Sequence, residues 1–314
     1  MRSVLVTGAS GFIGRQCLPI LVAKGYDVHA LSRRQPTTPQ RGVTWHDADL
    51  LRQGAPTEII HQLKPDFLLH LAWYAVPGKF WEARENIEWV RASLELLSAF
   101  AANNGKRLVA AGTCAEYQIN AGECLEEKTP LLPTTIYGTC KCAFGSVLDS
   151  FNRRAEMSSA WGRIFFLYGP YEEPSRLIAY VVQSLLRGEP ALCSDGRQVL
   201  DFMHVEDAAS AFVALLENKM QGPVNIASGC PVEVRDVLQE IGVQLGRPEL
   251  IRLGERPSSS EVSCIWANVG RLTKEAGWKP RYDLTSGIKR TIEWWRSSVA
   301  FRAEDPTREA NRYL

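Results

Sequence analysis

Val4-Leu5-Val6-Thr7-Gly8-Ala9-Ser10-Gly11-Phe12-Ile13-Gly14 is the stretch on which the reading of this chain turns. Val4-Leu5-Val6 is a short, continuously apolar run, the pattern of a strand buried on both faces. From Phe12 to Ala23 the apolar positions recur at helical spacing, and Gly25 stands where a C-cap is expected. Glycines between such a strand and such a helix allow a tight turn, close approach of the backbone to a pyrophosphate, and close packing of helix on strand. The free N–H groups and positive dipole end of the helix favour phosphate. A glycine motif alone says little; its place after the first strand and at the opening of the first helix gives it meaning. Gly8, Ser10, Gly11, Phe12, Ile13 and Gly14 are therefore the expected phosphate cradle of a dinucleotide.

The pattern continues outward. Val28 to Leu31, Val43 to Trp45, Phe67 to Leu71 and Arg107 to Ala111 read as further strands. A helix around Ile59-Ile60-Leu63 and a long amphipathic one from about Phe80 to Ala102 lie between them. Strands alternating with helices predict an α/β fold, a Rossmann-type doubly wound parallel sheet. After about residue 165, prolines punctuate shorter elements, with helices expected over Leu177 to Leu186, Asp207 to Leu216, Val234 to Leu245 and Leu284 to Trp295. The expected organisation is a dinucleotide-binding domain over 1–165, a smaller, partly interleaved C-terminal α/β substrate lobe over 166–300, and a charged tail over 301–314.

Bulk properties exclude several function classes. Of the 314 residues, 45% are hydrophobic and 23% charged, and the net charge is +1. That argues against disorder and gives no basic surplus for nucleic acid. No apolar run approaches the roughly 20 residues of a membrane span. No basic segment leading into an apolar run opens the chain, so a cytoplasmic location is expected. The eight cysteines form no C-x-x-C pair; they are expected to be reduced thiols, and no metal is expected.

The end of the second strand reports on the adenosine ribose. An acidic residue there would bond the 2′-hydroxyl and mark NAD. The sequence reads Ala30-Leu31-Ser32-Arg33-Arg34. Two guanidiniums suit a 2′-phosphate, so NADP is expected ahead of NAD. Asp49 and Leu50, after the third strand, are expected at the adenine edge.

Tyr137-Gly138-Thr139-Cys140-Lys141 sets a phenol and an ammonium four residues apart, on one face of a helix. A free tyrosine has a pKa near 10. A nearby lysine cation is expected to lower it, fitting Tyr137 to act as general acid in reduction and general base in oxidation. Thr113, at the end of the fifth strand, is expected to hold the substrate oxygen beside it.

With these residues the chain resembles the extended short-chain dehydrogenase/reductases, in the nucleotide-sugar epimerase/dehydratase family. The resemblance spans about residues 2 to 299. It also rests on His70-Leu71-Ala72, Asn86, Tyr168-Gly169-Pro170, Asp201-Phe202-Met203-His204-Val205-Glu206-Asp207 and Gly277-Trp278-Lys279-Pro280. It implies a seven-stranded sheet, a nucleotide-sugar substrate, a homodimer through a four-helix bundle, and Leu71, Ala72 and Asn86 on the cofactor side. His204 reads as a packing histidine. In the 4,6-dehydratases of this family an Asp-Glu pair follows the threonine and eliminates water. Here Cys114 and Ala115 stand there, and neither does a carboxyl's acid/base work. Cys114 is placed instead among the substrate-side residues. The arginine that usually precedes the Asp-Phe pair is Leu200, so either the diphosphate is held by Arg256 with Arg176 or Arg197, or the substrate is not a standard nucleotide sugar. The leading expectation is an NADP-dependent ketoreductase acting on a nucleotide-linked 4-keto-6-deoxyhexose. The alternatives are an NAD-dependent nucleotide-sugar 4-epimerase and, from another class, an NADP-sensing regulatory protein.

Overall fold

The computed structural model describes residues 2–34, 39–152, 157–257 and 262–303. The first five strands of the central sheet are β1 (Ser3–Thr7), β2 (Asp27–Ser32), β3 (Val43–Asp47), β4 (Phe67–His70) and β5 (Arg107–Thr113). The sheet runs β3-β2-β1-β4-β5 and is completed by Ser158–Ile164 and Gly222–Ile226. All its pairings are parallel. The chain winds one way from β1 to β3 and the other way from β4 onward. Such a reversal opens a crevice at the strands' C-terminal ends, where these sheets hold ligands.

Eight helices are described: α1 (Gly14–Ala23), α2 (Ala55–Leu63), α3 (Glu85–Ala102), α4 (Ile136–Asn152), α5 (Leu177–Arg187), α6 (Val205–Glu217), α7 (Val234–Leu245) and α8 (Leu284–Ala303). Successive strand residues face opposite sides of the sheet. Val4 and Val6 accordingly join a core with Cys17, Leu18 and Leu21 of α1 and Phe212 of α6. Leu5 joins the core on the other side, with Ile60 of α2, Leu97 and Phe100 of α3, and Phe144 of α4. The doubly wound arrangement expected from the sequence is present.

Three boundaries differ from expectation. The helix expected from Phe12 begins at Gly14, after the phosphate-cradle turn. The helix expected from Phe80 begins at Glu85, because the Asn86 side-chain amide donates to the carbonyls of Phe80 (2.7 Å) and Ala83 (2.9 Å) and folds the preceding segment into a turn. The last helix runs on to Ala303, through the first residues of the expected tail; residues 304–314 lie outside the described residues. The sheet also takes its outermost strand, Gly222–Ile226, from far beyond residue 165, so the two segments interleave.

The second lobe is stapled by two buried carboxylates of the Asp201–Asp207 motif. Asp201 is fully buried and accepts from the Ser228 N–H (2.8 Å), the Ser228 hydroxyl (2.6 Å), the Gly229 N–H (3.0 Å) and the Ala267 N–H (3.2 Å). Asp207 accepts from the N–H groups of Arg281 and Tyr282, each at 2.9 Å. The motif therefore ties two loops and the end of the strand Cys264–Ala267 to one strand and helix. His204, between the two, packs against Tyr168 and Tyr282, as a packing histidine does.

His70 anchors the sheet beneath the glycine turn. The Ala72 N–H donates to the Thr7 hydroxyl, which sits 2.7 Å from His70 Nδ1, while Nε2 lies 2.9 Å from the Ser93 hydroxyl. With Thr7 donating to Nδ1, the ring is neutral and Nε2–H donates to Ser93. Burial, reinforced by Lys141, lowers the His70 pKa to about 3. An unfolded histidine titrates near 6.5. The neutral ring's contribution is thus complete above about pH 6.5 and is lost as pH falls toward 3, at about 1.4 kcal/mol per pH unit. Urea unfolding at about pH 7.5 and about pH 4.5 is expected to show a larger loss for the wild type than for His70→Gln. Equal losses would dismiss His70 as the source.

Candidate active site

Two cavities meet at the end of the parallel sheet. The first, about 430 Å³, lies over the switch point between β1 and β4 and is lined by Gly8, Ser10, Gly11, Phe12, Ile13 and Gly14. Leu31, Ser32, Arg33, Asp49, Leu50, Leu71, Ala72, Trp73 and Trp89 complete most of its wall. Gly8 has φ +68°, and a Cβ there would sit 2.7 Å from the Ala72 nitrogen. A Cβ on Gly14 would sit 2.2 Å from the Gly8 carbonyl oxygen. Both positions must be glycine for the turn to close against the start of α1. Backbone exposed around such a turn fits a dinucleotide pyrophosphate.

Arg33 lines this cavity, whereas Arg34 contributes a backbone carbonyl that accepts from the Ser32 hydroxyl at 2.6 Å. Asn86 also departs from expectation. It is fully buried and off the cavity wall, and its Oδ1 accepts from Trp73 Nε1–H at 2.8 Å. It shapes the cavity only by holding Trp73.

The second cavity, about 620 Å³, lies in the C-terminal lobe. Leu200, Phe166, Phe202, Tyr180, Glu172 and Arg256 are among its lining residues. Arg176 lines both cavities and so marks their junction. Arg197 does not take part: its side chain is 80% exposed and paired with Asp195. The expected choice between Arg176 and Arg197 as partner to Arg256 falls to Arg176, since only it faces the cavity.

Tyr137 and Lys141 lie in the first turns of α4, against the segment that follows β4. The Tyr137 N–H donates to the Trp81 carbonyl at 2.9 Å, and the rings of Phe80 and Trp81 meet the phenol edge-on. The Thr113 side chain lies beside the phenol and acts to lower its pKa. Lys141 is 4% exposed; its Nζ donates to the Ala111 carbonyl at 2.7 Å and lies 3.8 Å above the centre of the Trp73 ring. Trp73 belongs to the first cavity's wall and Trp81 to the second's, so the pair packs against both walls while lining neither cavity itself.

The electrostatics correct one expectation. Burial raises the Tyr137 phenol above its ordinary value, opposed by the Thr113 side chain and the Arg176 charge. Burial lowers Lys141 to about 7, with Glu116 opposing. The depression of the phenol expected from Lys141 is thus not found; burial dominates, and each group is pushed toward its neutral form. Cys114 is half-buried, packed in the C-terminal core and pushed up to about 12 by burial, so it is an inert thiol off both cavity walls.

Sequence reading passed over Glu116. It is fully buried, its Oε1 accepts from the Thr113 N–H at 2.8 Å, and Trp161 Nε1–H donates to both oxygens at 3.0 Å. Arg163 Nε donates to Oε2 at 2.8 Å. The available signal was Thr113-x-x-Glu116, a capping box, which the structure forms in full. Glu172 was also missed and carries no local signal. It is buried, burial pushes it up to about 8, and one of its oxygens has no partner among the described residues.

A family model of NAD dependent epimerases/dehydratases matches residues 4–227. The chain belongs to that family. It is an NAD(P)-dependent enzyme of the oxidoreductase type. It is 26% identical over 310 residues to a putative UDP-glucose 4-epimerase of Methanocaldococcus jannaschii, covering 94% of this chain and 99% of that one. It is 24% identical over 338 residues to the dTDP-glucose 4,6-dehydratase of Salmonella typhimurium, covering 94% and 93%. Among solved structures it is similar to MoeE5 in complex with UDP-glucose and NAD, at 30% identity and a TM-score of 0.81, covering 95% and 99%. Among the described residues no helix is long and apolar enough to cross a membrane.

The geometry gives a direct test of the Tyr137/Lys141 pair. Tyr137→Phe keeps the ring and its packing on Phe80 and Trp81 but removes the proton. Turnover on a nucleotide sugar is expected to fall about 10²- to 10⁴-fold with cofactor affinity little changed. Near-normal turnover would remove the phenol from the chemistry.

Proposed function

We propose that this protein is a nucleotide-sugar 4-epimerase working with NAD(P). The observation that carries the reading is the placement of Thr113, Tyr137 and Lys141 against Trp73 of the glycine-turn cavity and Trp81 of the second cavity, the two cavities being joined at Arg176. That arrangement suits a secondary alcohol held with its oxygen at the phenol and its carbon turned toward the first cavity. The curated proteins that the chain resembles are mostly UDP-sugar 4-epimerases, which supports it.

In this reading a nicotinamide dinucleotide held at the Gly8–Gly14 turn would supply a hydride acceptor for the sugar carbon, and return of that hydride to the opposite face of the ketone would invert the centre. Tyr137 takes the hydroxyl proton as the alcohol becomes a ketone, and gives it back when the hydride returns. Thr113 shares the oxygen on which charge develops, where a preorganised donor is most effective. Arg176 supplies positive charge beside the phenol. Lys141 adds a second cation once it is held charged. Cys114 and Ala115, where the dehydratases carry their acid pair, leave water elimination without a proton donor or acceptor.

Incubation with UDP-glucose or UDP-glucuronic acid and catalytic NAD is expected to give a product of unchanged mass, epimeric at C4 by NMR, with no net change in NAD(P)H absorbance. A product lighter by one water would overturn the reading.

A second reading, the NADP-dependent reduction of a 4-keto-6-deoxyhexose, is favoured by Arg33 on the cofactor wall and the absence of an acidic residue at the end of β2. An exchanging reductant needs discrimination at the 2′-phosphate more than a retained cofactor does. Arg33→Asp is then expected to weaken NADPH binding by about 1.5–3 kcal/mol and to improve NADH binding. A wild type that prefers NADH and is unmoved by the substitution would leave the epimerase reading alone.

A further inference from the structure

Lys141 is a cation in a place that disfavours cations. It is buried, and burial alone drives it toward the neutral amine. Four titratable or charged groups surround it. Glu116, on the turn after β5, favours the ammonium, but Arg163 on the neighbouring strand already holds that carboxylate at 2.8 Å. His70, at the end of β4, is neutral and adds no charge. Tyr137, on the same helix, is pushed toward its neutral form. What meets the ammonium directly is the Ala111 carbonyl at 2.7 Å and the face of Trp73 at 3.8 Å.

We propose that Trp73 is a positioning residue for Lys141: its indole face holds the ammonium charged and fixed at the wall of the dinucleotide cavity. An aromatic face attracts a cation through the ring quadrupole, and more strongly where water is excluded. The ring is itself immobilised. Its Nε1–H donates to Asn86 Oδ1 at 2.8 Å, and it stacks on Trp89 with ring centres 6.2 Å apart and planes 25° from parallel. Asn86 is in turn pinned by its two donations to the Phe80 and Ala83 carbonyls. The chain Asn86–Trp73–Lys141 therefore transmits the fold of the segment after β4 to the ammonium. Of the three N–H groups of an ammonium, the carbonyl takes one and the ring face another. One remains for a dinucleotide in the cavity that Trp73 lines. The importance of this arrangement for turnover rests on the Tyr137 reading above; the state of Lys141 does not.

The test is a pH titration of the lysine Nζ resonances in ¹³C,¹⁵N-lysine-labelled protein, with Lys141 assigned by its loss in Lys141→Met. Trp73→Leu is expected to lower the Lys141 pKa by about one unit. Trp73→Phe, which keeps a weaker ring face, is expected to fall between it and the wild type. Should Trp73→Leu fail to fold by circular dichroism, the comparison of Trp73→Phe with the wild type decides. An unchanged Lys141 titration in a folded variant overturns the proposal. The pH profile of kcat for Trp73→Phe is the second readout, expected to move in the same direction as the titration. If no nucleotide sugar is turned over, the titration still stands, so failure of the proposed function and failure of the Trp73 role are told apart.

Discussion

Glu116 is a carboxylate with no exposed surface at the end of the fifth strand, and the local structure depends on how that charge is satisfied. Taking an isolated ion out of water costs several kcal/mol even after relaxation. The chain answers with the guanidinium of Arg163, the indole N–H of Trp161 and the backbone N–H of Thr113, all aimed at the same two oxygens. Arg163 continues the network to the Tyr117 hydroxyl, which donates to Asn225. Two adjacent strands and the outermost strand are thus locked in register around one charge. Thr113 cannot move without breaking a buried bond to it. The position of the threonine beside the phenol is a consequence of this anchor, not of the helix that carries Tyr137.

This explains which features could be read from the sequence and which could not. The strand-turn-helix from Val4 to Gly14 is legible because every interaction that defines it is local. The alternation of Val4 and Val6 against Leu5, and the steric need for glycine at 8 and 14, lie within a few residues of one another. Gly222–Ile226 is not legible in the same way. As a five-residue strand it carries no local mark of its place, and only its pairing with Ser158–Ile164 sets it at the sheet's edge. The start of α3 was not legible because helical periodicity continues back to Phe80, while a single Asn86 amide captures two carbonyls and delays the helix by five residues. Arg176 and Arg197 look alike in the sequence. One lies at the junction of two cavities and the other in solvent, a difference made by tertiary packing.

The expected acid/base chemistry shows a similar division. The spacing of Tyr137 and Lys141 is a property of the helix and was legible. The sign of their shifts was not, because it depends on how much water the Phe80–Trp81 segment and Trp73 exclude. Exclusion raises the phenol and lowers the amine together. A site of this kind needs positive charge supplied from outside the helix. Arg176 provides some of it from the segment before α5. A cation on that segment acting on a phenol of α4 makes the phenol's acidity depend on how the two are packed.

That dependence bears on substrate recognition under the proposed function. Leu200, buried on the wall of the second cavity, offers nothing to a diphosphate where the family usually has an arginine. The cavity's guanidiniums are Arg256 and Arg176, and the two have different surroundings. Arg256 lies near the Tyr180 ring and has no carboxylate partner among the described contacts. Arg176 lies at the junction with the cofactor cavity and faces the buried Glu172 at 3.8 Å. A free guanidinium suits a phosphate, whose charge it can meet bidentately. A guanidinium already sharing its charge with a carboxyl suits the neutral sugar and the developing oxyanion better. The nucleotide diphosphate then belongs toward Arg256 and the hexose toward Arg176, which puts the reacting carbon on the side of the phenol.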